Sequence, residues 1–174
     1  MKRKSTSSKI LQGIIFGIAF LCYFCAIQAV EAQTVVLSED FDSFTSGGTS
    51  CTSTCTLTNS WTNETGDDKD WCPRSGSTGS SNTGPSSDHT GSGKYLYTEA
   101  SSCYYKTAYL KSPSFSLSGN ATLTFWYHMY GSTMGSLTVY ISTNGGSSYT
   151  QLWYKSGDQG NSWQEATIDL SSYS

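Results

Sequence analysis

Basic residues are scarce in this chain, ten Lys and Arg against thirteen Asp and Glu in 174 residues. Four of the ten, Lys2, Arg3, Lys4 and Lys9, precede a weakly polar run from Gly13 to Ile27 and then Val30-Glu31-Ala32. The order basic, apolar, small-residue is that of a secretory signal with an A-x-A-type cleavage site. The run is short, about 15 residues where a membrane-spanning helix needs roughly 20. Residues 1–32 therefore read as a leader and residues 33–174 as the mature domain. Removing four of ten basic and one of thirteen acidic residues leaves six and twelve, a formal charge of −6. An acidic surface excludes nucleic acid and anionic membrane as partners. Membrane attachment is expected only through an uncleaved leader or a downstream segment.

Helical patterning and catalytic motifs are also missing. No stretch beyond the leader repeats at 3.6 residues, and Lys-, Glu- or Ala-rich stretches are few. Residues 33–174 hold 29 Ser and 21 Thr beside many aromatics, a set that favours strands over helices. The aromatic content also separates the chain from disordered sequences, and 142 residues suit one domain. There is no G-x-S-x-G elbow, H-E-x-x-H, P-loop or dinucleotide fingerprint. Of the two histidines, His128 lies in an aromatic strand, where a hydrogen-bonded packing role is expected. His89 follows Asp88 in a Ser/Gly loop with no distinguishable nucleophile. A non-catalytic chain is the expectation.

Four cysteines remain after the leader: Cys51, Cys55, Cys72 and Cys103. An even count in an exported chain implies disulfides, and no C-x2-C pair suggests zinc. Three connectivities are open; the expected one closes a small loop with Cys51–Cys55 and joins distant segments with Cys72–Cys103.

Period-two patterns mark the strands. Val35–Leu37 reads as a short first strand. Lys94–Ala100 and Tyr105–Lys111 follow a long Ser/Gly/Thr loop, Arg74–Gly93, read as ordered and packed on the core. In Leu123–Tyr130, Leu123, Phe125, Tyr127 and Met129 share one face, and Trp126, His128 and Tyr130 the other; a strand apolar on both faces is covered on both. Ser136–Thr143 and Tyr149–Tyr154 flank Asn144-Gly145, a tight-hairpin signal. Gln164–Leu170 points Ala166, Ile168 and Leu170 inward. The whole describes an all-β, antiparallel two-sheet sandwich or jelly roll.

Two acidic clusters stand out, Glu39-Asp40-Phe41-Asp42 and Asp67-Asp68-Lys69-Asp70. Loops of this kind can give a hard cation its oxygens, or can simply be solvated. Surplus aromatics stack sugars or anchor protein partners, although Trp126 and Trp153, inside strands, are expected to fill the core. Asn63-Glu64-Thr65 and Asn120-Ala121-Thr122 are glycosylation sequons or surface turns.

Taken in order, Phe41-Asp42, Trp61, Asp67-Asp68-Lys69-Asp70-Trp71, Asn82–Thr90 (NTGPSSDHT), Tyr95–Ala100 (YLYTEA), Leu110-Lys111-Ser112-Pro113, Phe125–Gly131 (FWYHMYG), Met134-Gly135-Ser136-Leu137 and Gly157–Trp163 (GDQGNSW) resemble a MAM domain over nearly all of the mature chain. The resemblance implies a jelly-roll sandwich related to concanavalin A-like folds. It also implies a secreted or cell-surface adhesion and recognition module that contacts extracellular proteins, often beside a protease, phosphatase or receptor domain. Some members carry a structural cation, so Asp42 and Asp88, with Asp40 third, are expected ligands of Ca2+. A carbohydrate-binding module, or the accessory domain of an exported protease or hydrolase, is the alternative. Family members commonly have a cysteine just before the L-x-F-W-Y strand, where Thr122 stands here, so their disulfide pattern does not transfer. The family also continues past the strand ending at Leu170, which makes this chain, in expectation, a piece of a longer protein.

Overall fold

Alternating apolar and polar side chains produce strands wherever a second strand can take up their backbone hydrogen bonds, and that condition sorts the expectations. The computed structural model describes residues 33–174, of which Val35–Ser174 form one compact unit; the leader expected over residues 1–32 lies outside the described residues. Among these the strands are β1 (Thr62–Asn63), β2 (Cys72–Ser75), β3 (Lys94–Tyr97), β4 (Leu110–Lys111), β5 (Thr122–Tyr127), β6 (Ser136–Ile141), β7 (Thr150–Ser156) and β8 (Gln164–Asp169), followed by a 3-10 turn over Ser171–Tyr173. All pairings are antiparallel: β1 with β4, β2 with β3, β5 with β8 and β6 with β7.

The β5–β8 ladder runs without interruption from Thr122↔Asp169 to Tyr127↔Gln164. Its inward face carries Phe125 and Tyr127 on one strand and Ala166 and Ile168 on the other. Tyr127, Met129 and Ala166 are buried, and Phe125, Met134, Leu137 and Trp153 pack against them. The apolar faces of β5–β8 and β6–β7 thus meet in one core. Trp153 lies edge-on to Phe125 at 5.2 Å and to Tyr127 at 4.9 Å, spacings at which aromatic pairs attract. The β6–β7 ladder shifts register between Val139 and Tyr140, a bulge that twists this edge.

Several expectations are corrected. Val35–Leu37 forms no strand and is exposed, because no described strand pairs with it. Of Tyr105–Lys111 only β4 is extended in a ladder. The backbone before it bonds to the acidic loop instead, through Glu64 N–H to Tyr109 C=O and Asp68 N–H to Thr107 C=O. The connection from β6 to β7 is not a two-residue turn: Ile141 pairs with Thr150, and the positive φ angles fall on Gly145 and Gly146. Asn144 acts through its side chain, which accepts from the Ser148 amide at 3.0 Å.

The disulfides also differ from expectation: they are Cys51–Cys103 and Cys55–Cys72, not Cys51–Cys55 and Cys72–Cys103. Cys72 opens β2 and is buried. The Cys55 amide is held by the Asp70 carboxylate at 2.7 Å and its carbonyl by Asn63 at 2.9 Å. These contacts bring Cys55 beside Cys72, with Cα atoms 5.4 Å apart, and leave Cys51 for Cys103 at 5.9 Å. Both separations suit a disulfide.

Candidate functional site

Carboxylates in a loop can gather around an ion or fasten separate stretches of chain, and here the two acidic clusters behave differently. In the 67–70 cluster each carboxylate takes a different backbone amide: Asp67 that of Tyr109 at 2.5 Å, Asp68 that of Thr107 at 2.8 Å, and Asp70 that of Cys55. Asp68 also meets Lys106 at 3.0 Å. The Thr107 amide, then Lys106 and the Thr107 hydroxyl, hold its carboxyl down to about 2. This cluster pins loops together. Among the described residues no group of three or more His, Cys, Asp or Glu is placed to hold a metal.

Asp42 and Asp88 do converge. Among the described residues, Asp88 is the buried charged one. Its carboxylate accepts from the Gly93 amide at 2.8 Å, the Thr90 hydroxyl at 2.6 Å and the Thr90 amide at 3.2 Å. Burial alone would raise its pKa, but these bonds and the Ser92 amide outweigh it and hold the group at about 2, as expected for a carboxylate taking several N–H and O–H donors. Exposed Asp42 reaches the same place from the N-terminal segment and accepts from the Lys94 amide at 2.6 Å. Between them lies Gly93, where a Cβ would sit 2.5 Å from Asp42 Oδ1 and 2.8 Å from Asp88 Oδ2. Only a residue without a side chain leaves this gap between two carboxylates. The Lys94 ammonium donates to the Asp42 and Phe44 carbonyls, each at 2.7 Å. Asp40 turns away to its neighbour, accepting the Asp42 amide at 3.0 Å. Two carboxylates facing one small gap at Gly93 supply oxygen donors of the kind a hard cation prefers, but only part of the 6–8 oxygens that calcium takes.

Beside Asp88, the outward face of β5 carries the second feature. Trp126 is 44% exposed, contrary to the expectation that it fills the core, whereas Trp153 does fill it. The His89 ring stacks on Trp126 at 5.0 Å with 15° between planes, and Trp163 stands edge-on to His89 at 6.4 Å. The Ser/Gly loop delivers His89 to this position because it is docked, as expected. The Thr83 hydroxyl and Gly84 amide both donate to the Tyr130 carbonyl, and Trp163 Nε1 donates to the Ser87 carbonyl at 2.9 Å. Gly131, at φ +140°, allows the close approach, since a Cβ there would lie 2.8 Å from Thr83 Oγ1. His128 packs under the loop, 5.5 Å from Trp163, with Nε2 3.2 Å from Asn161 Oδ1. Burial pushes its imidazole below the ordinary pKa, against the opposing bond to Asn161. The hydrogen-bonded packing role expected of His128 is thus the one it has. Trp163, Ser87 and Gly93 carry no periodic signal and were not among the residues singled out from sequence; only their place in the NTGPSSDHT and GDQGNSW segments, or next to them, hinted at a role.

Strands paired antiparallel, with a polar loop docked across them and an aromatic outer face, define an all-β domain among the described residues. Residues 43–174 match the MAM domain family (meprin/A5/mu), and the chain belongs to it. A MAM domain is a non-catalytic module built as a jelly-roll sandwich. Relatives include MAM domain-containing protein 2 of Homo sapiens, 44% identical over 104 residues, which is 58% of this chain and 15% of that protein. Neuropilin-1 of Xenopus laevis is 36% identical over 150 residues, 82% of this chain and 16% of that protein. Thyroid hormone-induced protein B of Xenopus laevis is 38% identical over 94 residues, 52% of this chain and 14% of that protein. The chain therefore spans 14–16% of the length of these relatives. Among the described residues, no helix is long and apolar enough to cross a membrane.

Proposed function

We propose that this MAM domain is a secreted or cell-surface recognition module that adheres to an extracellular protein through the face formed by Trp126 and His89. The observation that carries this reading is the half-exposed Trp126 on a ladder-bound strand, held flat against His89 by a docked loop. A large ring fixed in advance loses little entropy when a partner covers it, which is why tryptophan is over-represented among residues that dominate binding energy. The test is retention of the fluorescently labelled full chain on cultured cells treated beforehand with protease or with glycosidases. Loss of retention after protease alone supports the reading, and retention that survives protease overturns it.

The carbohydrate-binding alternative draws on a neighbouring hollow of about 250 Å³ lined by Asn82, Thr83, Tyr130 and Asn161 among others, since an aromatic wall with amides and hydroxyls suits a sugar. Retention lost to glycosidases alone would select it.

Calcium at Asp42 and Asp88 belongs to the same proposal. The ion would neutralise the facing carboxylates and tie the N-terminal segment to the turn before β3, with Asp40 acting only through the Asp42 amide. Calorimetric titration with calcium should show binding by the wild type that Asp42→Ala and Asp88→Ala each weaken; equal affinity in all three removes the assignment.

A further inference from the structure

The two sequons are alike in sequence but not in the folded chain. Asn63 is half-buried at the end of β1, and every polar atom of its side chain is engaged. Its Nδ2 donates to the Cys55 carbonyl at 2.9 Å and to the Trp71 carbonyl at 3.0 Å, and its Oδ1 accepts the Trp71 amide at 2.9 Å. The amide therefore bridges the two flanks of the loop that Cys55–Cys72 closes. A sugar on Nδ2 would leave one N–H for two carbonyls and would put a bulky, hydrated group inside this bridge. Asn120 is the opposite case. It is exposed, follows Gly119 at φ +65°, and has no side-chain hydrogen bond to any described residue. Its sequon partner Thr122 is the exposed first residue of β5.

We infer that Asn120 is the N-glycosylation site of this domain and that Asn63 is excluded from modification in the folded, secreted chain. The inference rests on the reading of the chain as exported. In the reaction Asn120 Nδ2 attacks C1 of an oligosaccharide carried on a lipid pyrophosphate. The N–C1 bond forms, the C1–O bond to the pyrophosphate breaks, the lipid pyrophosphate leaves with the electron pair, and one amide proton passes to the transferase. The glycan would stand two residues before β5, whose run from Thr122 to Trp126 alone is roughly 14 Å at about 3.4 Å per residue, so the aromatic face stays open. A hydrophilic cap at this end would also cover the edge where β5 begins and β8 ends, at Thr122 and Asp169.

The test expresses the full chain in cultured mammalian cells in two forms, one on its own leader and one preceded by an established secretory signal. Secreted protein is compared before and after peptide-N-glycosidase, and its peptides are mapped by mass spectrometry. A single mobility step with Asn120 occupied and Asn63 unmodified is expected. Asn120→Gln should be secreted at the deglycosylated position, and Asn63→Gln should keep the step. An occupied Asn63 in secreted protein, or an unoccupied Asn120, overturns the inference. Occupancy of Asn120 in the second form, with the first retained in the cell, would refute export by the native leader and leave the site assignment standing.

Discussion

Asp68 and Asn63 show how side chains near the surface replace a missing sheet. Each substitutes for a strand partner by taking backbone amides or carbonyls that no ladder reaches, a role with a measurable consequence in both cases. The Asp68 carboxyl lies at about 2 in the fold against an ordinary 3.8. A depressed pKa stabilises the fold fully above the unfolded value, and the contribution fades as pH falls from about 4 towards 2. The melting-temperature gap between wild type and Asp68→Asn should therefore be larger at pH 6 than at pH 2. Because the group is exposed, the gap should be small and should shrink with salt. A gap independent of pH would show that the Thr107 and Lys106 contacts contribute nothing. Asn63→Ala leaves the Cys55 and Trp71 groups unpaired, at a cost on the order of 2 kcal/mol, readable by denaturant unfolding; a change below about 0.5 kcal/mol would contradict the bridging role.

Among the strands, β5 and β8 carry the core, and their inward residues are the costly ones to trim. Ile168 is 8% exposed, and Ile168→Ala should lose about 2–5 kcal/mol. The outward Thr167→Ala should stay within about 0.5 kcal/mol. Equal losses at both positions would mean that the alternation does not set the burial. These two strands were legible in the sequence because every second side chain from Leu123 to Met129 and from Ala166 to Leu170 is apolar. Val35–Leu37 looked equally good, but a strand needs a neighbour, and pairing is not written in the segment itself. Trp126 was misplaced for a related reason. Its strand is apolar on both faces, yet the outer cover is one histidine from a loop about forty residues earlier, a contact without any local signal. Asp42 and Asp88, with Asp40 third, are expected as cation ligands only from the family resemblance. The spacing could not show that Asp42 and Asp88 meet at Gly93, which has no side chain to fill the gap, or that Asp40 turns to the Asp42 amide.

Taken over the full domain, two covalent links compensate for short ladders. Cys55–Cys72 spans 17 residues and Cys51–Cys103 spans 52, worth roughly 3 and 4 kcal/mol by the chain-entropy estimate. Non-reducing peptide mapping should recover a 51–103 and a 55–72 fragment, and a 72–103 fragment would contradict the pairing. The connectivity escaped sequence reasoning because four cysteines allow three pairings, and the choice depends on Asp70 and Asn63 holding Cys55 beside β2. With the frame fixed in this way, the docked loop can hold His89 against Trp126, the face through which recognition is proposed. The most direct test is the affinity of the secreted full chain for intact cells, wild type against Trp126→Ala, once equal melting temperatures are established. A loss of roughly 30-fold, the 2 kcal/mol expected of a dominant contact, is predicted, and unchanged affinity would contradict recognition through this face.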